Sequence, residues 1–452
     1  MSKVNEIENE QVKKLLFKFS MPAIIAMLAN ALYNVCDRLF VGMGVGVLGI
    51  SAISIAYTVT LIIMGFSMLV GLGATSLVSI KLGEKDTEAC ENIVGNTFVL
   101  IFIVSGILMI LGYVFLTPIL VSLGAKGKVL YYTKIYTEII ILGIPFQVLS
   151  YTMNNILKGQ GRAKRAMVNL LVSVILNTIL NPLFIFVFKM GIAGSALATV
   201  ISTAISSTLP TSTYFTKGAL IKIHVKNLKL RKNIIKESLS MGISGFIMQI
   251  SMSLIVIIIN KQCLVYGGDN AVAVFGILNS FSLLIYMPIY GISQGMQPII
   301  GYSYGAKKHD KLLETLKLST ISATIFAVIA FIVFEVFSKN IFSAFAKGTE
   351  AIINMGVPAI RMYSISIPLF GIIIIFSTYF QYIGKAKYAI ILTLLRQVII
   401  IIPLLFIVPK FMGRNGIWLA NPITDVITAI LAIGLVYFEI KNIKAVKTQL
   451  YI

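Results

Sequence analysis

The chain has 452 residues, 58% of them hydrophobic and only 12% charged, with a mean hydropathy of +0.93. No soluble domain can hide that much apolar surface, so the composition indicates an all-α polytopic membrane protein. The formal charge of +21 suggests a polyanion partner at first sight, but the placement of the basic residues argues against nucleic acid.

The opening residues, MSKVNEIENEQVKK, are polar and mixed in charge. They do not fit a signal peptide, and the first apolar run is read as a retained helix. Twelve runs are long enough to cross a bilayer. In the first half they cover 15–44, 50–80, 93–122, 131–155, 166–188 and 191–215; in the second, 237–260, 270–302, 316–338, 355–381, 389–409 and 416–438. With the N-terminus inside, 26 of the 38 Lys and Arg fall in cytoplasmic segments and 9 at outer ends and loops. Arg38, Arg361 and Arg396 lie within spans. This is the positive-inside asymmetry, so both termini are expected in the cytoplasm and the basic charge reports topology.

The first span, from Leu15 to Gly46, carries Pro22 near its start and Asp37 near its end. Pro22 removes a backbone donor, and the helix is expected to bend there. A carboxylate inside a membrane helix is costly and normally faces a cavity or a partner, which makes Asp37 the leading candidate for function. Burial disfavours its charged form, so it is expected to alternate between protonated or Na+-bound and free states. Tyr33 stands one turn before it on the same face. On the fifth span, VILNTILNPLFIF gives Asn177 and Asn181 the same i, i+4 spacing, and Thr199 in GSALATVIST adds a hydroxyl from the sixth. One carboxylate, two amide oxygens, a hydroxyl and a phenol suit a hard monovalent cation, Na+, or a proton on the acid. Asn and Thr also commonly join helices in membranes, and that reading stays open for them.

The longest polar interruption, Lys217 to Glu237, sits near the midpoint with seven Lys and Arg. It divides the chain into an N-lobe (1–216), a basic cytoplasmic linker (217–236) and a C-lobe (237–452). The halves resemble each other: SMPAII at Ser20 and SMGISG at Ser240, Gly73 and Gly295, Gly83 and Gly305, Pro145 and Pro368, Gly161 and Gly384, Pro182 and Pro403. An even number of spans per half makes these parallel repeats, an arrangement that places a substrate cavity between lobes and alternates access by rocking. Duplication in a channel or a structural protein is the blander alternative.

The C-lobe has no acid between Glu237 and Asp269. It carries instead Arg396 in LTLLRQVII and Asp425 in ANPITDVIT, which are expected to form an ion pair because unpaired charge at this depth is expensive. Whether they only pair or also handle cargo is left open by the residues. Glu138 and Glu335 fall near outer ends and read as boundary residues. Cys36, Cys90 and Cys263 are far apart, and His224 and His309 lie in loops, so neither a disulfide framework nor a zinc site is expected. No catalytic constellation is present, and neither an enzyme nor a resident cofactor is expected.

Twelve spans in two halves, the first-span pattern ending in LYNVCDRLFVG, the NTILNPLFIF run and GIAGSALAT resemble the multidrug and toxic compound extrusion (MATE) transporters, nearest the MepA-like bacterial branch. The resemblance spans essentially the whole chain. It implies an H+- or Na+-coupled efflux antiporter for lipophilic, mostly cationic compounds in the bacterial cytoplasmic membrane; a monomer is expected. It also implies that Asp37, Asn177, Asn181 and Thr199 hold the coupling cation, that Tyr33, Asp37 and Asn177 meet the drug, and that Pro22 is the kink proline. Two departures leave the ion open: Asn181 stands where many members have a second acid, and the seventh, eighth and tenth spans have no buried carboxylate. The rival reading on the same fold is a flippase for a lipid-linked precursor, which would need a cationic central cavity.

Overall fold

The computed structural model describes residues 2–216, 219–345 and 350–449, in which every regular element is helical. Lys217 and Gly218, which open the expected linker, and Lys347 of an outer loop lie outside the described residues. A short amphipathic helix, α1 (Ser2–Asn9), precedes α2 (Val12–Val45), α3 (Val47–Gly83) and α4 (Thr87–Ser122). Then come α5 (Gly127–Leu142), α6 (Ile144–Gly159), α7 (Ala163–Pro182), a π turn (Leu183–Val187) and α8 (Gly191–Ser212). The second half comprises α9 (Lys232–Gly305), α10 (His309–Phe345), α11 (Glu350–Ser364), α12 (Ile367–Tyr382) and α13 (Ala386–Leu394). A second π turn (Leu395–Ile400), α14 (Ile401–Met412) and α15 (Arg414–Gln449) complete it.

Among the described residues nine helical stretches are long and apolar enough to cross a membrane singly, and two bent pairs raise the number to eleven. The twelfth pass comes from α9. Its 74 residues would run roughly 110 Å if straight, several times the bilayer core, and Gly268, at φ +65°, breaks it into two passes. Only glycine takes that backbone region without cost. The protein is thus an all-helical multi-pass membrane protein of two six-pass lobes.

The fourth and tenth spans, expected as single helices, are each broken. α5 and α6 meet at 54°, and α11 and α12 at 45°. In each pair a proline, Pro145 or Pro368, opens the second helix, where its missing N–H costs nothing but cannot continue the ladder of the first. α2, by contrast, runs through Pro22 as one helix from Val12 to Val45, with no break at that point.

The lobes meet where α3 crosses both halves of α9 and α2 crosses its second half, and glycines make the approach possible. Gly83 lies against the Tyr302 carbonyl, and Gly305 against the Ile80 carbonyl. Gly73 likewise faces the Ser238 carbonyl, Gly242 the Leu69 carbonyl, and Gly295 the backbone of Ser20. A Cβ at any of these would force backbone apart, and small residues at such crossings are how membrane helices pack closely. Gly83 with Tyr302 and Ile80 with Gly305 are one contact seen twice, the reciprocity that a two-fold axis requires. These contacts close the lobes together at the end that carries Lys85 and Lys308, called here the basic end.

Two further ties cross that end. Glu8 of α1 accepts hydrogen bonds from Tyr302 (3.2 Å) and Lys308 (3.0 Å), while Lys311 donates to the Glu8 and Glu10 carbonyls at 3.2 and 2.8 Å. The linker is anchored as well. Asn227 donates to Asn92 (2.9 Å), and Asn96 donates to the carbonyls of Asn227 and Lys229 at 3.1 Å. Its last residues are already helical, because α9 begins at Lys232.

Candidate functional site

The N-lobe site is assembled by α2, α7 and α8. Pro182 ends the regular ladder of α7, since it offers no N–H to the carbonyl four residues back, and the next turn widens into the π turn. Two glycines then let the neighbouring helices close in. Gly44 of α2 packs against Ile185 and Phe186, and Gly194 of α8 against the Phe184 backbone.

Within this cradle Asp37 is 7% exposed, Asn177 2% and Asn181 0%. Asn181 Nδ2 donates to Asp37 Oδ1 at 2.6 Å and to Asn177 Oδ1 at 3.1 Å. Asn177 Nδ2 donates to Thr199 Oγ1 (3.2 Å), which also lies 3.2 Å from the Tyr33 hydroxyl. All five residues singled out from the sequence therefore belong to one chain of hydrogen bonds. Ser195 joins them by donating to Asp37 Oδ1 at 3.0 Å. The sequence held a signal for it: Ser195 precedes Thr199 by four residues, so the two share a helical face. Tyr136 of α5 is buried within electrostatic range of Asp37 and Tyr33, with no spacing signal to mark it.

The electrostatics are one-sided. Both described donors to Asp37 reach Oδ1, and Asn181 Oδ1 is buried with no partner among the described residues. The adjacent Arg38 is turned away, 5.8 Å from the centre of the Tyr57 ring. No Lys or Arg among the described residues forms an ion pair with Asp37. The site thus has neutral donors, unused oxygen acceptors and one carboxylate whose charge no base fixes.

The C-lobe counterpart is built differently. Arg396 sits in the π turn Leu395–Ile400 and donates from Nε to Asp425 Oδ1 at 2.9 Å; Ser366 donates to Oδ2 at 2.8 Å. Both charged side chains are largely buried, at 15% and 6% exposure. The guanidinium lies 4.9 Å from the centre of the Phe370 ring, which stacks on Tyr286 at 4.0 Å. Tyr286 and Tyr363 share a hydroxyl contact of 2.7 Å.

The boundary acids stay at the edge. Glu335 accepts from Ser364 (2.7 Å) with Arg361 at 3.7 Å, and Glu138 lies 3.9 Å from Lys134. All three cysteines are free, and no group of three metal-ligating side chains occurs among the described residues. Lys158, at the end of α6, donates across the lobes to Gln294 at 2.8 Å.

The family profile described as MatE matches residues 22–183 and 244–407, one stretch in each lobe. The chain belongs to the MATE family. The MepA multidrug export protein of Staphylococcus aureus (strain MRSA252) is 30% identical over 434 residues, 95% of this chain and 94% of that protein. Its namesake from Staphylococcus haemolyticus (strain JCSC1435) is 27% identical over 432 residues, with the same coverage of both chains. Among solved structures, the MATE multidrug transporter DinF-BH superposes with a TM-score of 0.88 at 37% identity, covering 94% of this chain and 95% of that one. A MATE crystallised with MaL6 gives 0.92 at 25% identity, covering 98% and 100%. The matched stretches of the MatE profile leave out the basic linker and include every N-lobe site residue from Pro22 to Asn181, with Thr199 just beyond.

Proposed function

We propose that this MATE chain is a cation-coupled multidrug efflux antiporter of the bacterial plasma membrane, with its basic end and termini in the cytoplasm. Lipophilic organic cations are its principal cargo, consistent with relatives named for multidrug export. The observation that carries the reading is Asp37: a buried carboxylate, bonded only by neutral donors on one oxygen, in the lobe that packs against its pseudo-symmetric mate. A carboxylate so placed can change charge cheaply, because no basic partner is orphaned when it does.

In this mechanism the coupling ion, H+ or Na+, is itself a substrate. A proton lands on Oδ2, the oxygen with no described donor. A Na+ would need the Asn181 amide turned so that Oδ1, now without a partner, joins Oδ2 in coordination. Either event weakens the bonds from Asn181 and Ser195 that hold α2 to α7 and α8. The helix above Pro22 then shifts, and bound cargo leaves away from the basic end, where the glycine crossings hold the lobes shut. An ionised Asp37 favours the opposite conformer and the intake of another cation. Coupling requires each ligand to bind the two conformers unequally, which a charge-changing group provides. Asn177 and Tyr33 line the route from acid to cargo, and Thr199 ties them together.

A flippase would instead need a cationic cavity. Arg38 and Arg361 are exposed and Arg396 is paired with Asp425, which favours drug efflux. The test is efflux of a fluorescent cation from proteoliposomes under separately imposed Na+ and pH gradients. Stimulation by one of them that is lost in Asp37→Asn supports the reading, and efflux indifferent to both gradients rejects it.

A further inference from the structure

Lys158 reaches from one lobe to the other and finds only neutral partners. Its Nζ donates to Gln294 Oε1 at 2.8 Å and to Asn155 Oδ1 at 3.5 Å. No carboxylate among the described residues forms an ion pair with it. The polar groups next to this contact are uncharged as well: Ser293 donates to Thr378 at 2.8 Å and lies 3.2 Å from the Tyr382 hydroxyl. The ammonium charge therefore stays uncancelled, on a side chain only half exposed. Its position is the seam where the lobes close. Gly159, next in the chain, sits against Thr75 and Ser79 of α3, and Ser79 in turn faces Gly301 of α9. Gln294 precedes Gly295, whose neighbour is the backbone of Ser20.

The internal repeat separates the bond from the charge. Pro145 and Pro368 share their offset with Gly161 and Gly384, which makes Gln381 the mate of Lys158. Gln381 is buried and donates to the Met241 carbonyl at 3.4 Å. In the C-lobe a neutral amide thus joins helices at this position. The fold asks for a donor there, and the positive charge of Lys158 is an addition to it.

We propose that Lys158 is a determinant of coupling: a fixed positive charge that bars Na+, hydronium and cationic cargo from the seam between closed lobes, so that ions cross only by way of Asp37. The inference rests on the efflux reading and names the residue that keeps its two fluxes tied. A positive charge at a constriction raises an electrostatic barrier to cations. At about 5 Å and a surface-like dielectric, the repulsion thins the local cation population on the order of a hundredfold. Opening the lobes at the basic end parts Lys158 from Gln294 and fills the gap with salt water, which screens charge beyond about 8 Å. The barrier stands while that end is closed and falls when cargo has to enter.

Ion entry into proteoliposomes without drug, driven by a potassium diffusion potential and read with Na+- and pH-sensitive dyes, tests this. Wild-type protein should leak little. Lys158→Gln, which keeps a donor without the charge, should raise cation entry at least tenfold and lower the number of drug molecules exported per ion. Lys158→Arg should stay within about twofold of wild type. So should Gln294→Ala, which removes the bond and keeps the charge. Entry of chloride and of glycerol should change in none of them. In Asp37→Asn/Lys158→Gln the cation leak should persist at full size, because it bypasses Asp37.

No rise in Lys158→Gln overturns the proposal. An equal rise in Gln294→Ala does so too, as does entry of chloride and glycerol alongside cations, since either makes the bond and not the charge the seal. Loss of the leak in the double variant also overturns it, because the ions would then still travel through Asp37. If Lys158→Gln leaks cations but the wild type exports no dye under any gradient, the barrier stands and the efflux reading fails. Gradient-driven dye export by the wild type with no leak in Lys158→Gln does the reverse.

Discussion

The two lobes share a topology and differ in how each treats its buried acid. In the N-lobe Asp37 is surrounded by amides and hydroxyls, and its neighbour Arg38 leans on Tyr57 instead. In the C-lobe Asp425 is bound by Arg396 and Ser366. Both lobes interrupt a helix with a π turn beside the polar group, Leu183–Val187 in one and Leu395–Ile400 in the other. Duplication thus preserved a backbone device for opening space within a helix, and side-chain changes gave the two spaces opposite electrostatics. One acid is met only by neutral donors; the other is paired with a guanidinium.

That contrast can be broken most strongly at Asp37. Asp37→Asn should lower gradient-driven efflux at least tenfold, about 1.4 kcal/mol or more in the barrier, with normal membrane insertion. The same change in the C-lobe should act on stability first. Asp425→Asn leaves a buried guanidinium without its partner, at a cost of about 3–5 kcal/mol, which a thermal melt of the purified protein would register. Arg396→Gln in the same chain should restore most of that loss. Next in size is the lobe crossing. Gly305→Ala sets a Cβ against the Ile80 carbonyl and should cost the closed basic end about 1–3 kcal/mol, seen as faster labelling of cysteines placed across the α3–α9 contact. Ser195→Ala removes one of two donors to Asp37, about 1 kcal/mol, and should change the coupled rate several-fold without abolishing it.

The smallest effect expected concerns α1. The hydrogen bond from Lys308 holds the Glu8 carboxyl below its ordinary value of 4.5. A depressed folded value means that this tie contributes above pH 4.5 and is lost as pH falls through the lower value. Glu8→Gln should therefore loosen the N-terminal helix at pH 7, measured as faster proteolysis near its start. The difference from wild type should shrink as pH falls through that lowered value, where the wild-type carboxyl becomes protonated too.

Much of this was legible in the amino-acid order because a bilayer constrains sequence so strongly. The twelve passes, the two halves and the hydrogen-bonded set from Tyr33 to Thr199 follow from apolar length, a nearly constant offset and i, i+4 spacing. The bends at Pro145 and Pro368 were visible only as repeat anchors. A proline at a helix start and one inside a helix look alike in sequence, and Pro22 shows that the second need not break its helix. The Lys158 contact was not legible, because nothing local tells a snorkelling lysine at a helix end from one that reaches Gln294 in the other lobe. Likewise, spacing cannot specify which Arg396 nitrogen Asp425 engages.

The central claim is that Asp37 alone exchanges charge with the coupling ion, and simultaneous recording of ion and drug flux in proteoliposomes tests it most directly. Wild-type protein should move a dye cation outward and H+ or Na+ inward in fixed proportion. Asp37→Asn should abolish both fluxes, while Arg396→Gln/Asp425→Asn should leave their ratio for a cationic dye unchanged. Ion movement that persists in Asp37→Asn, still in proportion to drug, would contradict the account.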